Sequence, residues 1–346
     1  MSLVSILKKK TKVSLFTTPS HAQKFFIFSK LRNFYKYDIS ETDAHDPQEA
    51  LESAQQKAAQ VYGTKSTHFL TNGSSSGVIA SVLACVNSGE KVLLWKDAHP
   101  SHSNAVKLAG AVPVFYDLEK DMQWGIYVQT NPQIIEEKLK QEIIKAVIIT
   151  SPTYEGVVSG ITEISQICKK YGAHLIVDEA HGALYPFCDK LPASAIHLGA
   201  DFVIQSLHKT AGGLNPTALL HCNLDIDIKP ALDLITTTSP SYPLLASIEK
   251  NINYLNGKKG RTEILKLVKN IEILKQSVPN CEFHSNNDVT KILVKTPKFN
   301  GFELSEYLFE NNIEDEKTNE KSTMLLCGIG TYAKKLKKLT QVLKKI

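Results

Sequence analysis

DFVIQSLHKTAGG, Asp201–Gly213, starts as an apolar run fit for a buried strand and then sets Ser206, His208 and Lys209 close together where that strand must stop. The runs before it have the same length: KVLLW (Lys91–Trp95), VPVFYD (Val112–Asp117), AVIIT (Ala146–Thr150) and HLIVDEAH (His174–His181). Polar, helix-like stretches such as IEEKLKQEII and ITEISQICKKYG lie between most of them. Strands alternating with helical patterns mean βαβ units and a mostly parallel sheet. After about residue 225 the pattern changes to a long helical region, roughly Ser247–Lys275, followed by KILVKT, GFELSEYLFENN, STMLLCGIG and a last helix. That half reads as a smaller α+β domain. The expected division is an N-terminal arm (1–45), a large domain (46–240) and a small C-terminal domain (241–346).

Bulk properties agree with an enzyme-sized globular chain. Its 346 residues are 42% hydrophobic and 22% charged, enough for a large core. No apolar run approaches the ~20 residues of a membrane span. The start, MSLVSILKKKTKV, carries its charges after a short apolar stretch, the reverse of a secretory signal, so a cytoplasmic location is expected. The six cysteines are scattered without a CxxC pair, as reduced thiols would be. A net charge of +5 is a mild excess. The lysines of KKLKKLTQVLKKI read as the outer face of a terminal helix, and no nucleic-acid motif accompanies them.

In open α/β sheets the site lies at the carboxyl ends of the strands. TNGSSSG (Thr71–Gly77) follows the apolar HFL and opens a helix with a glycine and three serines. It reads as an anion seat suited to phosphate, with an ordinary N-cap by Ser74 or Ser75 as the alternative. KDAHPSH brings His99 and His102, SPTYEG an aromatic turn, DEAHG the carboxylate of Asp178 with His181 behind it, and SLHK the lysine. Singly these are a solvated lysine, a capping aspartate and satisfied histidines. Together they match what pyridoxal phosphate requires: an amine to bind its aldehyde, a carboxylate to keep its ring nitrogen protonated and a seat for its phosphate. A metal centre is disfavoured. His174 and Asp178 share a strand face while Glu179 points to the other, and no HExxH is present.

These segments resemble the fold-type-I pyridoxal-phosphate enzymes, and within them the bacterial type of ornithine/lysine/arginine decarboxylase. FLTNGSSSG is similar to that family's phosphate segment (Gly73, Ser74, Ser75), and KDAHPSH to the one whose histidine, here His99, stacks on the cofactor ring. IVDEAHGA makes Asp178 the partner of the pyridine nitrogen and sets His181 beside the ring. SLHKT makes Lys209 the cofactor-binding lysine, with Ser206 and His208 towards the phosphate. TTTSPSYPLLASIE (Thr236–Glu249), with Ser241, resembles the segment that reaches a neighbouring subunit's cofactor; FTTPSH and ETDAHDP echo N-terminal motifs.

The resemblance implies a fold-type-I large domain with a mostly parallel sheet plus a small α+β C-terminal domain, without the family's wing and further C-terminal domain. It implies pyridoxal 5'-phosphate and no metal. The expected reaction takes a basic L-amino acid to its amine and carbon dioxide, as in polyamine biosynthesis. Lys209, His99 and Asp178 would be catalytic, with His99 or Lys209 as proton donor. The expected assembly is a homodimer or higher oligomer with the site at the subunit interface, and neither nucleic acid nor membrane as partner.

The departures are TPSHAQK in place of a glycine-rich turn and Pro100 in place of a lysine. Only two arginines, Arg32 and Arg261, are present, and Thr217 stands where many aminotransferases carry a phosphate-binding arginine. A site that does not ion-pair the α-carboxylate favours its loss over transamination. Other pyridoxal-phosphate reactions (transamination, β-elimination, aldol cleavage) and a catalytically weak partner subunit stay open as alternatives. Asp38, Glu41, Asp43 and Glu314 are available to read the far end of a basic substrate.

Overall fold

The computed structural model describes residues 14–16 and 50–346. Seven strands build the main sheet: β1 (Ser66–Leu70), β2 (Lys91–Trp95), β3 (Val112–Tyr116), β4 (Ala146–Thr150), β5 (His174–Asp178), β6 (Phe202–Ser206) and β7 (Ala218–Cys222). Their order across the sheet is β1-β7-β6-β5-β4-β2-β3. The run from β6 to β3 is parallel, and β7 is antiparallel to both β1 and β6. The five apolar runs read as strands therefore lie side by side. β7, ALLHC, was not anticipated: four apolar residues and a histidine behind a Gly- and Pro-bearing turn carry no periodicity of their own, and pairing on both sides makes the strand.

Helices cover both faces, as parallel strands require. On one face α2 (Ser74–Cys85) and α3 (Pro100–Leu108) bury Val78, Val82, Ala105 and Val106 against Leu94, Ile148, Ile176 and Ile204. On the other, α1 (Ala50–Tyr62), α4 (Pro132–Gln141), α5 (Ile161–Lys170) and α6 (Tyr242–Asn256) pack on Leu93, Val147, Leu175, Val177 and Val203. Each such aliphatic side chain contributes about 1.5–3 kcal/mol when fully buried.

The helical stretch read as one region is two helices. α6 ends at Gly257, and α7 (Lys258–Ser277) folds back so tightly that a Cβ on Gly260 would sit 2.1 Å from the Tyr254 carbonyl oxygen. α7 carries the chain between domains: Ile264 and Val268 join the large core, Leu267, Ile271 and Leu274 the small one. The small domain has a four-stranded antiparallel sheet, β8 (Glu282–Phe283), β9 (Lys291–Lys295), β10 (Lys317–Thr318) and β11 (Thr323–Leu326), in the order β8-β9-β11-β10. α8 (Gly301–Glu310) and α9 (Ala333–Leu343) cover it. Ser14–Leu15 pairs in parallel with Ile313–Glu314, which sets Glu314 in that short ladder. Among the described residues no helix is long and apolar enough to cross a membrane.

Candidate active site

One face of the sheet gathers the polar groups. Ile148, Ile176 and Ile204 face α2 and α3. Side chains alternate along a strand, so Thr150, Asp178 and Ser206, two residues further on, emerge on that same face at the carboxyl ends of β4, β5 and β6. Thr150 and Asp178 are direct register partners. α2 follows β1 and runs back along the sheet, which brings its N-terminus to this edge. A Cβ on Gly77 would meet Ile204 Cγ2 at 2.9 Å, so glycine there lets the helix sit close on β6.

The N-cap of α2 is Gly73, with φ 87° and ψ 168°, a backbone state glycine adopts readily. No side chain caps this helix. The alternative in which Ser74 or Ser75 serves only as the cap is therefore not realised. Both lie in the first turn, where helix N–H groups have no carbonyl of their own helix to bond. Ser206 is fully buried at the strand end facing this turn, and its Oγ has no hydrogen-bond partner. Thr150 Oγ1, His102 Nδ1 and His181 Nδ1 are likewise buried and unpaired. Folded interiors pair nearly all such atoms. Four of them around one strand-end cluster fit a seat for a polar, phosphate-bearing ligand.

Asp178 is buried, and its Oδ2 accepts from Nε2 of the fully buried His102 at 2.9 Å. Its Oδ1 accepts from the Ala180 N–H at 3.1 Å. Burial alone would raise its pKa; the His102 bond and charge, with the Lys209 ammonium, overcome this and hold it below the ordinary carboxylate value. Asp178 is thus a fixed anion. Glu179 turns to the opposite face, as the strand alternation requires, and accepts from Ser194, Ala195 and Gln205.

Lys209 lies in a wide helical turn, Leu207–Ala211, closed by Gly212 in the left-handed region (φ 86°). Its Nζ donates to His181 Nε2 at 3.1 Å. Burial lowers its pKa, Asp178 and Glu316 oppose that, and Lys291 adds to it. His181 is pushed well below the ordinary histidine value, first by burial and then by Lys209 and Lys291. It is therefore neutral and accepts from the ammonium. The Tyr154 ring lies 4.7 Å from the His181 ring, centroid to centroid, and its hydroxyl donates to Glu316 Oε1 at 2.6 Å.

His99 is the N-cap of α3, its Nδ1 accepting from the Ser101 N–H at 3.2 Å. Burial lowers its pKa, and its electrostatic neighbours are Asp178, Lys209 and His102, so it faces the same cluster. His208 Nδ1 donates to the Thr217 carbonyl at 3.2 Å. Ser241 is the N-cap of α6 and caps nothing with its side chain. The structure thus brings together Asp178, His181, Ser206, His208, Lys209 and His99, with the Gly73–Ser75 turn at the same edge of the sheet. Asp38, Glu41, Asp43, Arg32, TPSHAQK and ETDAHDP lie outside the described residues.

Three contributors went unread in the sequence: the Asp178 contact of His102, the hydroxyl of Thr150, and Lys291, whose Nζ donates to the His181 carbonyl at 3.0 Å. A cleft of about 670 Å³ beside β1 reaches Thr71 and Asn72 but includes neither Asp178 nor Lys209; the charged groups converge elsewhere. Among the described residues no group of three or more His, Cys, Asp or Glu is disposed to hold a metal.

The depressed Lys209 pKa has a measurable sign. Between its native value and the ordinary value of a free lysine, the unfolded chain holds a proton on this amine that the native site does not. Stability in the cofactor-free protein is thus gained as pH rises through that window and lost as it falls. The rise between neutral pH and the unfolded value is expected to be smaller in Lys209→Met, checked by urea melts at several pH values. Equal slopes would show that the amine is not desolvated.

The comparisons with known proteins point one way. The family model described as Orn/Lys/Arg decarboxylase, major domain, matches residues 16–302. The Bacillus subtilis (strain 168) protein called uncharacterized protein YaaO is 30% identical, over 91% of this chain and 71% of that protein. An arginine decarboxylase of the same organism is also 30% identical, over 79% of this chain and 60% of its own length. The Francisella novicida lysine decarboxylase LdcF superposes with a TM-score of 0.81 at 20% identity, over 98% of this chain and 59% of that one. The chain therefore spans about 60% of the length of these two decarboxylases.

Proposed function

The chain belongs to the Orn/Lys/Arg decarboxylase family, and on that premise we propose that it removes the α-carboxylate of a basic L-amino acid, with pyridoxal 5'-phosphate held at Lys209. The observation that carries this reading is the convergence of a fixed anion, Asp178, and a desolvated amine, Lys209, beside the first turn of α2. When bound, the cofactor supplies an electron sink that weakens the bond between the α-carbon and its carboxylate.

The protein's own groups do the rest. Gly73, Ser74 and Ser75 would hold the phosphate with their N–H groups and hydroxyls, helped by the Ser206 hydroxyl and His208. Asp178, oriented by His102, would pair with the ring nitrogen and keep it protonated. His99, neutral and anchored as a helix cap, would hold the ring from the side of this cluster. His181 accepts from Lys209 and sets the direction of its amine. Lys209 or His99 returns a proton to the α-carbon after carbon dioxide leaves. Decarboxylation is favoured over transamination because Arg261, the sole arginine among the described residues, is tied to Asn256 at the surface and grips no carboxylate.

We also propose a cytoplasmic protein acting as a homodimer or larger, with Ser241 and its segment serving a neighbour's site. Its six cysteines are free, which suits a reducing compartment. The three-part division at 45 and 240 goes with this proposal. The test is to offer purified protein and cofactor lysine, ornithine and arginine labelled at the carboxyl carbon. Labelled carbon dioxide with an equal amount of cadaverine, putrescine or agmatine is expected from one of them. Keto acids or aldehydes would transfer the assignment to another reaction on the same fold. A fully active monomer in light scattering would remove the interface proposal.

A further inference from the structure

The small domain sends one charged pair into the interior. Lys291 on β9 and Asp288 just before it are both fully buried, with Lys291 Nζ 2.5 Å from Asp288 Oδ2. Their hydrogen bonds are complete without any ligand. Asp288 also accepts from the Tyr185 hydroxyl at 2.9 Å and from the Thr290 N–H and hydroxyl at 2.9 and 2.6 Å. Lys291 Nζ directs its other two donors to the His181 carbonyl at 3.0 Å and Thr290 Oγ1 at 3.3 Å. A buried ion pair adds little stability over apolar residues of the same shape. Its use in the interior calls for another role, and its one contact with the cluster of charged groups is the His181 carbonyl.

We propose that Lys291, held by Asp288, is a positioning residue for Lys209: it pins the His181 main chain and thereby fixes the imidazole that receives the Lys209 amine. The line of contacts is unbroken, from Asp288 to Lys291, to the His181 carbonyl, and from His181 Nε2 to Lys209 Nζ at 3.1 Å. The loop holding Asp288 is stitched to the turn after β4 as well, its N–H donating to the Gly156 carbonyl at 3.0 Å. The small domain thus touches the turns after β4 and β5, and the second of these carries His181, the partner of Lys209.

Charge acts in the same direction. Lys209 feels Asp178 and Glu316 as anions and Lys291 as a second cation, with neutral His181 in contact and His99 and His208 nearby. Lys291 favours the uncharged, reactive form of the Lys209 amine. Neither Lys291 nor Asp288 has an atom left to offer the substrate, so both act through His181.

The inference rests on the cofactor assignment, and the absorbance of the bound cofactor followed against pH tests it without turnover. Two double variants keep the interior neutral. Lys291→Met/Asp288→Asn loses both the charge and the donor, and Lys291→Gln/Asp288→Asn loses the charge but keeps a donor for the His181 carbonyl. Both are expected to raise the titration midpoint of the lysine–cofactor band by about one pH unit. The Met form is expected to lose about tenfold or more in kcat with KM changed far less, and the Gln form to recover most of it. Midpoint and kcat equal to wild type in both variants would overturn the proposal. So would losses that only follow the fall in Tm, or a Met form that fails to fold beside a Gln form with the wild-type midpoint. Wild-type protein with no cofactor band would instead refute the cofactor assignment itself.

Discussion

Lys209→Ala is expected to lower decarboxylation at least ~10³-fold while leaving the fold in place. The size follows from the double use proposed for this amine, to hold the cofactor and to return the proton. The fold survives because the turn Leu207–Ala211 is held by other groups: Leu207 and Ala211 are fully buried, and Gly212 closes the turn in its left-handed state. The variant frees His181 Nε2 of its partner. That leaves a neutral imidazole with both nitrogens unpaired, at about 1–3 kcal/mol per unsatisfied group. Activity of folded protein, normalised by circular dichroism, checks this. Activity within tenfold of wild type would remove Lys209 from the chemistry.

Asp178→Asn carries the second large effect, about 10²–10³-fold in kcat. Asparagine keeps the shape and leaves an acceptor for His102 Nε2, so the fold is expected to hold. What disappears is the negative charge that opposes the loss of the Lys209 proton. The pH at which the Lys209 amine loses its proton should therefore fall. Asp178→Ala is expected to be less stable than Asp178→Asn by about 1–3 kcal/mol, because the fully buried His102 would then lose its one partner. Thermal melts of the two variants separate the charge from the hydrogen bond. Equal melts with equal activity would show that Asp178 serves only to anchor His102.

Much of this site could be read along the chain because its parts are local. VPVFYD, HLIVDEAH and DFVIQS each contain an observed strand, and KVLLW and AVIIT coincide with theirs. Apolar runs of that length leave a strong trace in sequence, in the buried central strands and also in β3, which lies at the sheet edge and is largely exposed. Asp178 and Lys209 stand out as candidates because each sits at the end of such a run, where topology puts the site. What stayed hidden depends on contacts far apart in sequence. His102 reaches Asp178 across 76 residues, and Lys291 reaches His181 across 110. No local pattern separates Lys291 from the many solvated lysines of this chain. β7 stayed hidden because its pairing on both sides, not its five residues, makes it a strand. The break at Gly257 was missed because α6 and α7 share one helical character, and the close approach of Gly260 to Tyr254 is a tertiary fact.

The central claim is that Lys209, of all the lysines, is the one that carries the cofactor. Protein incubated with pyridoxal phosphate, reduced with borohydride and digested should yield one peptide, spanning Lys209, heavier by a pyridoxyl phosphate group in mass spectrometry. The modification should approach one per chain and vanish when the protein is unfolded first. Modification centred on another lysine, or spread over many surface lysines, would contradict the account.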